Sequence, residues 1–432
     1  MSRLTDSFDK SARLKVRENE TVSGWSVGVV IFGICLTLPS LYTGAVSAQN
    51  LGIVGTAKAI GIASLVLAVM SVPAAIVGAK TRLSSYLLIE FVFGRKGADF
   101  VNALLGLTLL GWFAVTAGFF GQTLHIAFTE MFGLSPPVWA LTLISSLLIM
   151  LTTLFGFKAI DRLALFAVPL LILFLLYVAN LSLNLQGLNS LLAIEPANPD
   201  YFSTAVSTII GSLIVGVVLM PDLSRYARSV KDCVIASILG NGLGNSFSMF
   251  IAVTPALATG FIDPMTYMIS LGVLASAFII LVFATWTTNS VNLYSTTLAA
   301  AVIVPKVPEW KLLLSCGVLG TGMAVAGLAE YFISFLEWLG VIVPPIAGIY
   351  LADFFVLKRQ TFDLDKLSKV ADYDLAAIIA WLLSTFVSVL AFWFEISLTG
   401  IVSLDALILT IPLYLTCTKI WRTQYVRTLP IC

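Results

Sequence analysis

Charged residues are scarce in this sequence. Lys, Arg, Asp and Glu together make up 11% of its 432 residues, against roughly 25% in an ordinary soluble domain. Hydrophobic residues account for 59%, and the mean hydropathy is +1.00. A water-soluble fold could not cover so much apolar surface with so few charges. The composition therefore excludes an ordinary soluble enzyme and a disordered chain, and it indicates an integral membrane protein.

Residues that usually bind metals, form disulfides or catalyse reactions are also few. The chain has one histidine, His125, and its five cysteines are scattered without a CxxC pair. This spacing offers neither a disulfide framework nor a metal cluster. The HExxH and GxSxG motifs are absent, as is a glycine-rich phosphate loop, so a membrane enzyme is disfavoured. The 24 basic and 23 acidic residues nearly cancel, so no nucleic-acid partner is expected.

What the sequence does contain is a series of long apolar segments. A helix needs about 20 residues to cross a bilayer, and twelve segments of about that length or longer can be drawn. The prediction is an all-α integral membrane protein with about twelve transmembrane helices. The predicted spans lie at 23–47, 53–79, 98–127, 138–157, 163–182, 203–221, 233–259, 267–300, 311–328, 332–355, 375–394 and 401–418.

The cations predict the orientation of these spans. All but one of the 24 fall in the N-terminal tail, the even-numbered connections or the C-terminal tail. The exception is Lys58, near the start of the second span. Because cytoplasmic loops carry the excess of Lys and Arg, both termini are predicted to be cytoplasmic, in a multi-pass protein of the cell membrane.

Two spans carry residues that interrupt helices. The first contains Gly33 and Pro39, and the sixth contains Gly211, Gly216 and Pro221. Breaks at corresponding places in two five-helix halves are typical of an inverted-repeat transporter with its substrate site near mid-membrane. The alternative is that these small residues only allow helices to pack closely.

The eighth span is unusually polar. Thr287, Thr288 and Asn289 are consecutive, and Asn292 lies one turn after Asn289. Buried hydroxyls and amides need partners. A small cation would suit the threonine oxygens, and a hydrogen-bonding solute would suit the asparagines. Hydrogen bonds between helices are the alternative.

Two further residues are candidates for ligand contacts. Trp112 lies in mid-span, whereas tryptophan is normally enriched at the headgroup level. It is either a stacking surface for a planar ligand or a core residue. Glu337 falls in the outer part of the tenth span, where a carboxylate indicates coupling or ligand binding. An interfacial, solvated glutamate is the other interpretation.

Four motifs now identify a resemblance. They are the GW pair of the third span, PDLSRYAR at 221–228, the WTTN of the eighth span, and VPPIAGIYLADFF at 343–355. In this order, they resemble the nucleobase–cation symporter family, also called the purine–cytosine permease family. The similarity extends over most of the chain, from LYTGA at 41–45 onwards.

The resemblance implies a leucine-transporter-type fold. Two inverted five-helix repeats would occupy 23–182 and 203–355, and two additional helices would occupy 375–418. Cytoplasmic tails would cover 1–22 and 419–432. The family also implies a coupling ion, Na⁺ or alternatively H⁺, and a small neutral heterocycle as the transported partner.

The resemblance further implies the site residues. The sodium site would use carbonyl oxygens of the first and eighth spans together with two hydroxyls. The heterocycle would stack on the tryptophan of the third span and contact the sixth span, with Asn289 and Glu337 as further polar contacts. The implied sodium ligands are Gly33, Leu36, Ala284, Thr287 and Thr288, and the implied substrate contacts are Trp112, Ser212, Leu213, Gly216, Asn289 and Glu337.

The sequence departs from the family pattern near this site. Leu213 replaces a stacking aromatic residue, Leu109 replaces a glutamine, and Glu337 replaces a small neutral residue. We therefore expect a secondary active transporter that imports cytosine or another nucleobase-like heterocycle by cation symport. Transport of hydroxymethylpyrimidine, allantoin or a hydantoin is the alternative, followed by a channel or sensor with the same fold.

Overall fold

The computed structural model describes residues 15–155, 157–304, 306–357, 362 and 364–428. In this part of the chain the regular structure is helical, apart from a single β-bridge between Val22 and Ala227. The predicted all-α class is confirmed. The first 14 residues of the predicted N-terminal tail and the last four of the C-terminal tail lie outside the described residues.

Nineteen α-helices follow one another along the described chain. Short 3₁₀ segments lie at Glu18–Glu20, Pro199–Tyr201, Leu328–Tyr331 and Leu364–Lys369, and π-helical turns lie at Ile238–Gly244 and Asp353–Leu357. The α-helices are α1 (Gly24–Cys35), α2 (Leu38–Thr81), α3 (Ser85–Phe93), α4 (Arg95–Phe132), α5 (Val138–Phe155), α6 (Phe157–Leu185), α7 (Leu188–Leu192), α8 (Phe202–Val218), α9 (Met220–Ser224), α10 (Val230–Ser237), α11 (Asn245–Phe250), α12 (Val253–Thr259), α13 (Pro264–Ser270), α14 (Leu274–Ile303), α15 (Glu309–Val325), α16 (Phe332–Ile342), α17 (Pro344–Ala352), α18 (Leu375–Trp393) and α19 (Val402–Thr428).

Eight helical stretches of the described chain are long and apolar enough to cross a membrane. Shorter apolar helices occupy three more of the predicted spans, at Gly24–Cys35, Val138–Leu154 and Pro169–Leu185. The count of twelve and the orientation of the termini stay predictions. The eight stretches are Leu38–Thr81, Arg95–Phe132, Pro199–Val218, Val230–Thr259, Leu274–Ile303, Leu328–Leu357, Leu375–Trp393 and Val402–Trp421.

The predicted break in the first span is confirmed. Helix α1 ends at Cys35, Leu36 has non-helical dihedral angles (φ −81°, ψ 78°), and α2 begins at Leu38. The hydroxyl of Thr37 caps α2 by accepting the N–H of Ser40 at 3.3 Å. Pro39 occupies the first turn of α2, where its missing N–H costs nothing.

The sixth span breaks at a different place from the one its glycines suggest. Helix α8 continues through Gly211 and Gly216 and ends at Val218, and α9 begins at Met220 after the interruption at Leu219. Gly211 serves packing instead, since a β-carbon there would overlap the carbonyl oxygen of Leu336 in α16. The close-packing interpretation is therefore correct for this glycine.

Gly211 and Gly216 form a matched pair for a stability test. Gly211→Ala is expected to cost about 1–3 kcal/mol because α8 and α16 must separate. A β-carbon at Gly216 meets nothing within 4 Å, so Gly216→Ala should leave stability unchanged or raise it through helix propensity. Melting temperatures of the purified variants in detergent would measure both effects. Equal melting temperatures for the two variants would contradict the packing role of Gly211.

Helix α1 is held in place by the segment that follows the sixth span. The N–H of Gly24 donates to the carboxylate of Asp232 at 2.7 Å. Further along, the Cα of Phe32 packs closely against Gly244 at the end of the π-helical turn. Small residues at such contacts let helix backbones approach each other in membranes. This packing fixes the direction in which α1 reaches the break at Leu36.

Helix α4, which carries Trp112, is anchored at its N-terminus. Arg95 and Lys96 pair with the carboxylate of Asp372 at 3.0 and 2.9 Å. The hydrogen bond from Lys96, together with the two positive charges, holds the pKa of the Asp372 carboxyl below its usual range. From there α4 runs along α14, with Gly106 close to the β-carbon of Ala299 and the Phe120 ring 6.4 Å from that of Trp286.

Candidate functional site

The break between α1 and α2 releases backbone carbonyl groups. In a continuous helix the N–H of Ser40 would bond to the carbonyl of Leu36, but here it bonds to the hydroxyl of Thr37. The Leu36 carbonyl therefore lacks its helical donor. The carbonyl of Gly33 accepts a hydrogen bond from the N–H of Leu36, only three residues further on, at 3.2 Å. Carbonyl oxygens freed at a helix break are typical cation ligands in transporters.

Helix α14 supplies the second group of oxygens. The hydroxyl of Thr287 donates to the carbonyls of Phe283 and Ala284, both at 3.0 Å. These bonds use its proton and leave its oxygen able to accept or to ligate a cation. Thr288, one residue on, is half-buried.

The two groups of oxygens border the same hydrophobic cluster. Leu36 is buried in a hydrophobic cluster, and Ala284 packs against the same cluster. The structure therefore brings the break region and the Ala284 region of α14 to one part of the molecule. Their oxygens are neutral, so a cation held there would be stabilised without an opposite formal charge.

Trp112 lies against the same cluster, surrounded by aromatic rings. Its ring meets those of Phe332 and Phe335 edge-to-face, with centroids 6.0 and 5.6 Å apart. Phe332 in turn contacts Tyr42 and Phe119. Edge-to-face neighbours hold a ring in a fixed orientation, so the half-buried indole is a positioned surface.

Ser212, Leu213 and Gly216 share one face of α8. At about 100° per residue they fall within about 100° of each other, on the side away from Gly211, which packs on α16. Ser212 donates its proton to the carbonyl of Ile209 at 2.7 Å. Gly216 is exposed, and Leu213 packs with Trp112 against a second hydrophobic cluster. The three predicted residues therefore share one face of α8, on which Gly216 is exposed.

Asn289 is fully buried on α14, and neither atom of its amide has a hydrogen-bond partner among the described residues. The hydroxyl of Thr285, one turn earlier on the same face, is also buried without a partner there. A buried polar group without a partner costs about 1–3 kcal/mol. Such groups indicate a ligand, a water molecule or a second conformation that supplies the missing bonds.

Glu337 is not brought to this group. At about 100° per residue, it is separated around the axis of α16 by about 160° from Phe335 and by about 140° from Phe332. These are the two residues that contact Trp112. Its carboxylate is half-buried and within electrostatic range of Tyr201 at the start of the sixth span. Contact between Glu337 and a substrate stacked on Trp112 therefore stays a prediction, and this geometry does not favour it.

Sequence reasoning missed the aromatic rings around Trp112. Phe332 and Phe335 are spaced i, i+3 in the tenth span, and that spacing alone would have predicted that they share a helix face. Their approach to Trp112 depends on close packing of α4 against α16 and the 3₁₀ segment before it, since Gly111 touches the Phe335 ring and Gly118 touches Ala329 in that segment. Thr285 was missed because nothing in the sequence shows that a hydroxyl lacks a partner.

The PDLSRYAR segment forms a hub at the end of the sixth span. The carboxylate of Asp222 accepts the N–H of Ser85 at 2.8 Å, and Arg225 donates to the carbonyl of Asp222 at 3.2 Å. Arg82, at the end of α2, donates to the carbonyls of Arg225 and Ala227. Arg225 thus caps a carbonyl at this helix end. These bonds tie α9 to the ends of α2 and α3.

Comparison with known proteins identifies the family. The model for permeases for cytosine/purines, uracil, thiamine and allantoin matches residues 15–408. The chain belongs to this family. It is 32% identical over 332 residues to the cytosine permease of Escherichia coli O157:H7, which covers 77% of each chain. It is 26% identical over 301 residues to the hydantoin permease of Microbacterium maritypicum, which covers 64% of this chain and 61% of that relative.

Solved structures show the same fold. The inward-facing conformation of Mhp1 matches with a TM-score of 0.84 at 18% identity, covering 95% of this chain and 93% of that one. A Na⁺-coupled sialic acid symporter matches with a TM-score of 0.65 at 13% identity, covering 94% and 93%. This family member is thus a helical, multi-pass cell membrane protein whose relatives are permeases.

Proposed function

We propose that the protein is a secondary active transporter that imports a small neutral heterocycle by symport with Na⁺. The observation that carries the proposal is the packing of three features on one hydrophobic cluster. These are the freed carbonyl at Leu36, the oxygen-rich stretch of α14 at Ala284, and the ring of Trp112. A cation site beside a stacking surface allows the ion and the solute to favour each other's binding.

Na⁺ would be held by five neutral oxygens. The carbonyls of Gly33, Leu36 and Ala284 would supply three of them, and the hydroxyls of Thr287 and Thr288 would supply two. Neutral oxygen ligands suit a monovalent cation that must be released on the other side of the membrane. Coupling to H⁺ is the alternative, and it predicts uptake that does not depend on Na⁺.

The heterocycle would stack on Trp112 and face Ser212, Leu213 and Gly216. The amide of Asn289 offers a donor and an acceptor side by side, which fits a solute with adjacent N–H and C=O or ring-nitrogen groups. A change of conformation would have to expose this amide. Glu337 is proposed as a contact only if such a change also turns its carboxylate towards the site.

A heterocycle other than cytosine is the second candidate, and two residues favour it. Leu109 and Leu213 stand where the family pattern has a glutamine and an aromatic ring, and both pack against the hydrophobic cluster that Trp112 also touches. The site therefore lacks one amide and one stacking face. Hydroxymethylpyrimidine, allantoin and hydantoins are the alternatives to be tested beside cytosine and purines.

Membership of the family supports a further proposal about the architecture. The ten helical spans within 23–182 and 203–355 would form two inverted five-helix repeats, and α18 and α19 would be the two added helices. The interruptions at Leu36 and Leu219 would then lie in the first span of each repeat. Both termini would be cytoplasmic.

Uptake into proteoliposomes tests the function. Labelled cytosine, adenine, hydroxymethylpyrimidine, allantoin and benzylhydantoin would be offered with an inward Na⁺ gradient, with K⁺ in its place, and with a pH gradient alone. We expect saturable accumulation of one of these solutes above its external concentration, only with Na⁺. Accumulation driven by the pH gradient alone would identify H⁺ as the coupling ion. Equilibration without accumulation would identify a channel, and the absence of any uptake would contradict the proposal.

A further inference from the structure

Lys58 is the one cation that the sequence places away from the others. It lies in α2, six residues after the kink at Gly52, whose φ is +65°. Arg82, at the opposite end of α2, is bound to the cation-rich PDLSRYAR hub. The part of α2 from 53 to 81 is about 43 Å long at 1.5 Å per residue, longer than the roughly 30 Å of bilayer hydrocarbon. Lys58 is therefore near the hydrocarbon edge on the side opposite to that hub.

Lys58 is part of the face of α2 that points away from the protein. This face repeats at intervals of three to four residues, with Val54 53% exposed, Ile62 42% and Leu65 65%. Lys58 is exposed between them. The other face, which includes Ala59, Ala63 and Leu67, is fully buried. A lysine among apolar residues on an outward face, near the hydrocarbon edge, can extend its charged end to the headgroup level.

A cavity of about 480 Å³ opens beside this lysine. It is bounded by the kink at Gly52, by Ile194 and Pro196 of the connection before the sixth span, and by Phe202 at the start of α8. Apart from Lys58, these side chains are uncharged. None of the ion pairs between described residues includes Lys58.

We propose that this cavity binds an anionic phospholipid from the leaflet on the Lys58 side. The ammonium group of Lys58 would pair with the lipid phosphate, because a lysine at this depth extends its charge to the headgroup level. The glycerol and upper acyl groups would lie on the apolar walls. A freely soluble anion would gain the charge contact but would lose hydration against those walls, so a lipid is the better match.

This site would join two segments that are far apart in the sequence. Its walls come from the Gly52 kink, which follows the broken first span, and from the first residue of α8 in the broken sixth span. A lipid that contacts both would stabilise their present arrangement by mass action. The proposal concerns lipid binding and does not depend on which solute is transported.

Thermal unfolding of the full-length purified protein tests the site. Dioleoylphosphatidylglycerol would be added to detergent-solubilised protein, with dioleoylphosphatidylcholine and inorganic phosphate in parallel. We expect phosphatidylglycerol to raise the melting temperature of the wild type by a few degrees more than phosphatidylcholine. Lys58→Met should lose at least half of that difference, whereas Lys58→Arg and the control Lys311→Ala, another single loss of a lysine, should keep it.

Each other result overturns the proposal in a defined way. Equal shifts from the two lipids on the wild type would show no anionic lipid site. If the two lipids still differ in Lys58→Met as they do in the wild type, the anionic lipid binds elsewhere, for example on the cation-rich side. A shift from inorganic phosphate equal to that from phosphatidylglycerol would indicate a soluble anion. Native mass spectrometry of co-purified phosphatidylglycerol, compared between wild type and Lys58→Gln, gives a second measurement should Lys58→Met fold poorly.

Discussion

Trp112→Ala is expected to abolish transport by weakening the binding of the heterocycle. Stacking of a base on an aromatic side chain is worth about 1–3 kcal/mol, which corresponds to roughly 5- to 150-fold in Kd. The loss should lie towards the upper end, because Leu213 removes the second stacking face of the family pattern. Scintillation proximity binding with the solute identified by uptake would measure the affinity directly.

The controls for this variant separate stacking from packing. Trp112→Phe keeps a ring between Phe332 and Phe335 and should retain part of the affinity. Trp393→Ala removes a tryptophan that is 68% exposed at the end of α18 and should bind like the wild type. The melting temperature of Trp112→Ala without the heterocycle, measured with and without Na⁺, shows whether the variant still folds and binds the ion. Undiminished substrate affinity in Trp112→Ala would show that Trp112 is a core residue and not a stacking surface.

Thr288→Ala is expected to weaken the binding of Na⁺. It deletes one of the five proposed oxygen ligands, and a bond to a charged group is worth about 1.5–3 kcal/mol. We therefore expect the Na⁺ concentration for half-maximal uptake to rise by roughly tenfold or more. Uptake measured against Na⁺ concentration in proteoliposomes, at constant ionic strength, would show it.

Two variants on the same helix control this experiment. Thr288→Ser keeps the hydroxyl and should restore the half-maximal Na⁺ concentration of the wild type. Thr297→Ala deletes a buried hydroxyl that donates to the carbonyl of Leu293 at 2.8 Å, and it should change stability slightly but leave the Na⁺ dependence unchanged. If Thr288→Ala and Thr297→Ala respond alike, the proposed ion site on α14 is wrong.

Much of the fold could be predicted because the bilayer restricts what a chain can do. Lipid offers no hydrogen bonds, so a crossing segment must be helical, and the apolar runs mark where such helices lie. The break in the first span could also be predicted, since Gly33 and Pro39 both weaken a helix there. The family followed from four short motifs in order, and the match over residues 15–408 bears it out.

The sixth span shows where this reasoning fails. Gly211 and Gly216 look alike in sequence, yet one is pressed against the backbone of α16 and the other faces open space. Whether a glycine breaks a helix or admits a neighbour depends on which helix lies beside it. The interruption falls instead at Leu219, where Pro221 starts a new turn.

The scarcity of charge determined, from the sequence alone, that this is a membrane protein with a neutral interior, because hydration lost in lipid is too costly for many ions. Only the tertiary structure decided which polar groups share a site. It packs Leu36, Ala284 and Trp112 on one cluster, leaves Asn289 buried without a partner, and turns Glu337 to the other side of α16. The reason is rotation about a helix axis, since a single residue turns a side chain by about 100°. Contacts between helices fix that rotation, and no local pattern does.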